Sequence, residues 1–227
     1  MFRDLPEFLR PDDLLVLNNT RVVPARFFSN DGSREVLRVE PLSPTLWRCM
    51  VKPGKRFKLG HQVQIGDSTG TVKKILENGE RILEWDKQVD EQVHGHLALP
   101  HYMGRDDQPK DRERYQTVFA KAEGAIAAPT AGLHFTPEML AGLNHTFLTL
   151  HVGVGTFQPV KVENVTEHRM HSEVYEVGAE AAERISQAGR VVAVGTTSMR
   201  TLETVARDHG QVVPASGSTD IFIYPGF

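Results

Sequence analysis

Cys49 is the single cysteine among 227 residues, which excludes an internal disulfide framework and any zinc site built on several thiolates. A chain with so little cysteine suits a reducing compartment, and the cytoplasm is the expected location. Long apolar runs are missing too: no stretch approaches the length that spans a bilayer, so no membrane role is expected. The opening MFRDLPEFLRPDD is charged and broken by proline, unlike a signal peptide. Nor is there an excess of one charge. Lys and Arg number 26 against 29 Asp and Glu, a formal net charge of -3. That argues against nonspecific polyanion binding as the main role and leaves room for a local basic patch that holds RNA. With 40% hydrophobic and 24% charged residues the composition is that of a globular protein, and the length suits one large domain or two small ones.

What is present concentrates between Ala125 and Phe157. The order is AIAAPTAGLHF, a short helix TPEMLAGL, then HTFLTLHVGVGTF, so that two apolar runs each end in a loop carrying glycine, a hydroxyl, a histidine and an aromatic. Glycines let a ligand approach the backbone, and function gathers on such loops. Each part alone also serves a plain structural purpose: Thr130 closes a turn, and Gly153 and Gly155 relieve crowding at a strand end.

Before this stretch, DLLVL reads as a strand buried on both faces, followed by NNTRVVPARFF. Asn18, Asn19 and Thr20 suit a turn, and Arg21 and Arg26 flank Pro24 as bidentate donors for a carboxylate or phosphate. From Phe27 to about Leu99 short runs alternate with period two between Asn-Asp-Gly, Pro-Gly, Gly-Asp and Asn-Gly turns, the pattern of a small antiparallel barrel or sandwich. This module, placed at 29–98, carries Lys52, Lys55, Arg56 and Lys58 around a Pro-Gly turn, the best candidate phosphate contacts in the chain. Flanking it, 1–28 and 99–227 form an α/β domain with a mixed or largely parallel sheet.

Downstream, His168, Arg169, His171, Ser172 and Glu173 lie within six positions before the strand EVYEV. Two histidines without further ligands make a poor zinc site, and a proton-transfer cluster fits them better. GAEAAERISQAG reads as an amphipathic helix with Ala181, Ile185 and Ala188 on one face. In RVVAVGTTSMRTLETVARDHG a strand, a hydroxyl-rich loop and a helix N-terminus suit an anion, with Met199, Leu202 and Val205 expected inward. Tyr115 and Phe119 are expected to pack together on a short helix from Asp111. The end, DIFIYPGF, is an apolar strand with nothing after it, and the chain is expected to be part of a longer protein.

Together LLVLNNTRVVPAR, VKPGKR, DRERYQTVFA, AAPTAGLHFT, TLHVGVGTFQPV, HRMHSEVYEV, VAVGTTSMRTLE and TDIFIYPGF resemble the S-adenosylmethionine:tRNA ribosyltransferase-isomerase family of queuosine biosynthesis. They keep the family's order over nearly the whole chain. Family members carry segments before FRDLP and after the Tyr-Pro-Gly turn that are absent here, and the spacing from LAGL to NHTF is shorter than theirs. The resemblance implies an α/β domain with an inserted small antiparallel β-barrel. It also implies a reaction in which the ribosyl part of S-adenosylmethionine passes to the aminomethyl-deazaguanine base at the tRNA wobble position and is isomerised. S-adenosylmethionine is then a co-substrate, no metal is required, and the partner is the tRNA carrying that base. A monomer is expected.

Set against that chemistry, His134, His151 and His171 are candidates for proton transfer. Arg21, Arg26 and Arg200 are candidates for a carboxylate or phosphate, and Glu173 and Glu203 for the ribose hydroxyls or the sulfonium. Thr130, Thr156, Thr197 and Ser198 are placed to orient substrate, and Phe135 and Phe157 to stack on a base. Two readings from other classes stay open on the residues alone: a noncatalytic RNA-binding module, and a metal hydrolase using His168 and His171.

Overall fold

A computed structural model describes residues 1–100, 103–157, 162–168 and 170–227. Strands β1 (Asp13–Asn18) and β2 (Thr20–Val22) come first. They are followed by β3 (Arg26–Phe28), β4 (Glu35–Ser43), β5 (Leu46–Lys52), β6 (Gln62–Ile65), β7 (Ser68–Ile75), β8 (Arg81–Trp85) and β9 (Gly95–His96). Then come β10 (Ala122–Ala125), β11 (His145–Leu150), β12 (Glu173–Val177), β13 (Arg190–Ala193) and β14 (Ala215–Thr219). The α-helices are α1 (Glu91–His94), α2 (Asp111–Arg114), α3 (Pro137–Ala141), α4 (Ala179–Gln187) and α5 (Thr196–His209). No helix of the described residues is long and apolar enough to cross a membrane. The chain divides into two compact units, one of Met1–Val22 with Pro109–Phe227 and the other Val23–Gln108.

In the first unit a five-stranded mixed sheet runs in the order β13-β1-β11-β12-β14. Strand β1 lies parallel to both β11 and β13, whereas β12 is antiparallel to β11 and β14. All six residues of β1 are buried, as an unbroken apolar run in the middle of a parallel set requires. Asn18 and Asp13 are its polar ends, and Asp13 is the charged one. Arg190 Nε donates to its Oδ1 at 2.7 Å, and that bond holds the Asp13 carboxyl low, at about 2. Strand β2 pairs separately with β10, in parallel.

Helix α3 starts where Thr136 Oγ1 accepts from Met139 N at 3.3 Å, the N-cap bond that satisfies one of the helix's free N–H groups. Helix α4 buries Ala181, Ala182 and Ile185; Ala188 follows its last residue and is only half-buried. Helix α5 differs from expectation. Leu202 and Val205 are buried, but Met199 is 43% exposed and the inner stripe is completed by Ser198, Thr201 and Thr204. Residues 198, 201, 202 and 205 keep the three-four spacing of one face, which leaves position 199 off it. Two of these buried hydroxyls bond back to the preceding turn, Thr201 Oγ1 to Thr197 O at 3.1 Å and Thr204 Oγ1 to Arg200 O at 2.7 Å, which satisfies them inside the fold. Helix α2 ends at Arg114, one residue before buried Tyr115, while Phe119 packs against Phe135 and Phe147.

The second unit is an antiparallel seven-stranded sheet in the order β6-β7-β8-β5-β4-β3-β9. Its core holds Phe27, Val36, Trp47, Cys49, Phe57, Val63, Ile65, Val72, Leu83, Trp85 and Val89, the inward half of each alternating run. The sheet curls. The β3–β4 turn reaches β6, where Asn30 N donates to Gln64 O at 3.0 Å. The Asn30 side chain also exchanges two 2.7 Å bonds with the backbone of Gly66.

Candidate active site

Because β1, β11 and β13 run parallel, the loops after Asn18, Leu150 and Ala193 leave from one edge of the sheet. The outside of the carboxyl ends of parallel strands is where ligands bind in open α/β sheets. At this edge Asn18 ties the first two loops together. Its Nδ2 donates to Leu150 O at 2.9 Å, and its Oδ1 accepts from Leu150 N at 3.0 Å and Thr20 N at 3.1 Å. Asn19 adds a second tie, its Oδ1 accepting from Thr149 Oγ1 at 2.7 Å. The backbone leading into His151 is thereby fixed, with His151 N donating to Val174 O at 2.9 Å.

The His151 ring is held as closely as its backbone. Thr20 Oγ1, wholly buried, lies 2.7 Å from His151 Nδ1. Gly124 lies against the ring with φ +147°, and a Cβ there would fall 2.9 Å from two ring atoms; only glycine accepts both that backbone and that approach. The ring is half-buried. Burial lowers its pKa, against a smaller opposing pull from Glu176, so the imidazole is biased toward the neutral form that accepts a proton.

His171 meets the same loop: a Cβ on Gly155 would fall 2.8 Å from its ring. Glu173 Oε1 accepts from Gly153 N at 2.8 Å, while its Oε2 accepts from Arg200 Nη1 in a buried ion pair. The remaining Arg200 nitrogens donate to Ile221 O at 3.1 Å and Thr219 O at 3.2 Å. Thus Glu173 and Arg200, expected at the substrate, are engaged with each other and brace the loop that carries His151. At the third loop Gly195, φ +87°, lies close to Ala131, 3.0 Å from where its Cβ would be. The N-terminus of α5 therefore lies against the Thr130 loop. Thr197 is half-buried and Ser198 is wholly buried, with no partner for its Oγ among the described residues; Glu203 is half-buried one turn further on.

Other expected residues are dispersed. Thr130 and Thr156 are exposed. His134 is exposed with its ring 5.2 Å from Phe2, and Arg21 is exposed with Nη1 donating to Ala120 O at 3.3 Å. Phe135, expected to stack on a base, is 2% exposed and belongs to the core with Leu15, Leu17 and Leu140. Its ring meets Phe2 edge-on at 4.9 Å, so no face is left free. The side chain of Phe157 and all of Arg169 lie outside the described residues. His168 packs on Phe222 at 5.1 Å. Among the described residues no group of three His, Cys, Asp or Glu could hold a metal ion.

Within the second unit, Arg26 is already paired, with Glu35 at 3.0 Å and Asp106 at 3.0 Å. In contrast, Lys52 at the end of β5 and Lys55, Arg56 and Lys58 just after it are exposed, and no ion pair ties any of them among the described residues. Thr20, Asn18 and Gly124 are the residues that reading the sequence missed. Only the small residues at the ends of two apolar runs hinted at them.

Comparison with known proteins matches residues 1–227 to a family model described as queuosine biosynthesis protein. The S-adenosylmethionine:tRNA ribosyltransferase-isomerase of Desulfitobacterium hafniense is 48% identical over 246 residues, taking in 100% of this chain and 72% of the relative. The proteins of the same name from Symbiobacterium thermophilum and Staphylococcus epidermidis are 48% and 46% identical, with 100% of this chain and 71% of each relative covered. These alignments run longer than the 227 residues here, so the relatives carry internal residues that this chain lacks. The crystal structure of S-adenosylmethionine tRNA ribosyltransferase from Thermotoga maritima is 32% identical with a TM-score of 0.40. That match covers all of this chain and 66% of the other.

Proposed function

The chain belongs to the queuosine biosynthesis protein family, and from that premise we propose that it is an S-adenosylmethionine:tRNA ribosyltransferase-isomerase. It would transfer the ribosyl part of S-adenosylmethionine to the aminomethyl-deazaguanine base at the tRNA wobble position and isomerise it, giving epoxyqueuosine, adenine and methionine. The observation that carries this reading is the match of the whole chain at 46–48% identity to enzymes of that name. The noncatalytic RNA-binding alternative gains no support, since each of these relatives bears an enzyme's name.

The geometry supports a division of labour. A sulfonium acidifies the adjoining ribose carbon, and a neutral imidazole there takes the proton while the electron pair stays on carbon. His151 fits this role best, because burial favours its neutral form and two neighbours, Thr20 and Gly124, lie against its ring. His171, against the same loop, is the partner for the proton that assists adenine departure; His134 is the third candidate. Arg21, Thr130, Thr156, Thr197, Ser198 and Glu203 are kept as the proposed substrate contacts, with Glu173 and Arg200 bracing the loop that carries His151.

Lys52, Lys55, Arg56 and Lys58 are the proposed phosphate contacts for the tRNA, since their charges are uncommitted. The curled sheet is proposed as the inserted small barrel at 29–98, with 1–28 and 99–227 as the catalytic domain; the division into compact units supports it. A cytoplasmic monomer using no metal completes the reading.

Adenine release from S-adenosylmethionine, with and without tRNA bearing the aminomethyl-deazaguanine base, is the test. Release that depends on that tRNA and falls in His151→Ala is the expected result. Binding of the tRNA with no release would overturn the enzymatic reading.

A further inference from the structure

Thr20 is an odd residue to find wholly buried beside a histidine, because a buried hydroxyl with one proton must choose between its neighbours. Two lie within reach of Oγ1. His151 Nδ1 is 2.7 Å away, and the carbonyl oxygen of Ala122, across the β2–β10 pair, is 3.5 Å away. A carbonyl can only accept. The arrangement that satisfies both contacts therefore sends the hydroxyl proton to Ala122 O and leaves His151 Nδ1–H to donate to Thr20 Oγ1. The imidazole proton is then on Nδ1, and the lone pair that can take a proton is on Nε2.

Everything around Thr20 is arranged to hold that hydroxyl still. Its backbone N donates to Asn18 Oδ1, and the same Asn18 brackets Leu150 through both N and O, immediately before His151. Gly124 sits against the ring, where any side chain would displace it. A fixed hydrogen bond on one ring nitrogen sets the tautomer and orientation of the other, the role that a carboxylate or carbonyl plays behind many working histidines.

We propose that Thr20 is a positioning residue that fixes His151 as its Nδ1–H tautomer and so presents Nε2 as the base for proton abstraction. The proposal rests on the catalytic reading of His151 and adds to it the residue that orders the ring and the nitrogen that reacts. Thr20 itself touches no substrate in this scheme.

Long-range 1H–15N NMR of histidine-labelled protein, at a pH where the ring is neutral, reads the His151 tautomer directly and needs no turnover. Nδ1–H in the wild type, lost or mixed in Thr20→Val, is expected. In parallel, adenine release is measured for Thr20→Val, which keeps the shape and removes the hydroxyl, and for Thr20→Ser, which keeps the hydroxyl. For Thr20→Val, kcat should fall about tenfold or more with KM for S-adenosylmethionine and tRNA little changed, and Thr20→Ser should recover most of it. A wild-type ring protonated at Nε2, or a folded Thr20→Val with undiminished kcat, overturns the proposal. If wild-type protein binds tRNA yet releases no adenine, it is the enzymatic reading that fails, and the tautomer spectrum still decides what Thr20 does to the ring. Should Thr20→Val not fold, the wild-type tautomer and the Thr20→Ser rate remain decisive.

Discussion

Arg200 Nη1 donates to Glu173 Oε2 in a pair buried on both sides, and the other oxygen of the same carboxylate holds Gly153 N two residues past His151. The pair thus links helix α5 to the loop of the candidate base, and its worth shows when one half is removed. Arg200→Ala strands a buried carboxylate and leaves Thr219 O and Ile221 O without their donor. A loss of about 3–5 kcal/mol is expected from breaking a buried pair. Urea unfolding measures it, and a loss below about 1 kcal/mol would mean that the pair is solvated.

Gly124→Ala tests the close approach to the imidazole. Alanine is strained at φ +147°, and its methyl would press on the His151 ring. Such strain costs about 1–3 kcal/mol, and the displaced ring should lower the rate of adenine release more than it raises KM. A variant with wild-type melting temperature and rate would show that the loop yields freely.

The titration of His151 has a definite direction. Burial lowers its pKa and Glu176 partly offsets this, so in the interval below the ordinary imidazole value the unfolded chain binds a proton that the folded one refuses. The contribution to stability is therefore complete above about pH 6.5 and is lost as pH falls through the folded value. An NMR titration of the His151 ring should give a midpoint below that of a free imidazole, lower still in Glu176→Gln. A midpoint at or above the free value would contradict the burial.

Lys55, Arg56 and Lys58 changed together to alanine should weaken tRNA binding without altering KM for S-adenosylmethionine. Each lost phosphate contact should flatten the plot of log affinity against log salt by about 0.7–0.9. An unchanged slope would place the tRNA elsewhere.

Cys49 lies in the core of the second unit, and burial pushes its thiol well above the usual range. It should react with a thiol reagent only as fast as the protein opens. Fast labelling of native protein would mean that this core is not closed.

The sequence was most legible where a residue's fate depends on near neighbours. DLLVL could only be a strand covered on both faces, and the alternating runs from Phe27 onward announced an antiparallel sheet because turn residues separate them at short intervals. Met199 was misread by one position around the helix, since the inner face of α5 is lined in part by the hydroxyls of Ser198, Thr201 and Thr204, which escape a search for apolar residues. Site partners were least legible. Thr20 and His151 are 131 residues apart, and no local pattern marks such a meeting. Likewise Arg200 and Glu173 were chosen for the right chemistry, but only the fold shows that each already has the other. Phe135 looked available because Phe2 and Phe119, which help enclose it, are distant in the chain or across a loop.

The turn at Asn30 does more than shape the curled sheet. Strand β6 lies at the end of the strand order, where a row of unpaired carbonyls would invite a strand from another molecule. Those of Gln64 and Gly66 are taken by the backbone and side chain of Asn30, and that of Gln62 by Arg34. One asparagine and one arginine thereby stand in for a missing strand, and the carbonyls of Gln62, Gln64 and Gly66 are occupied from within the chain rather than left to a strand from outside.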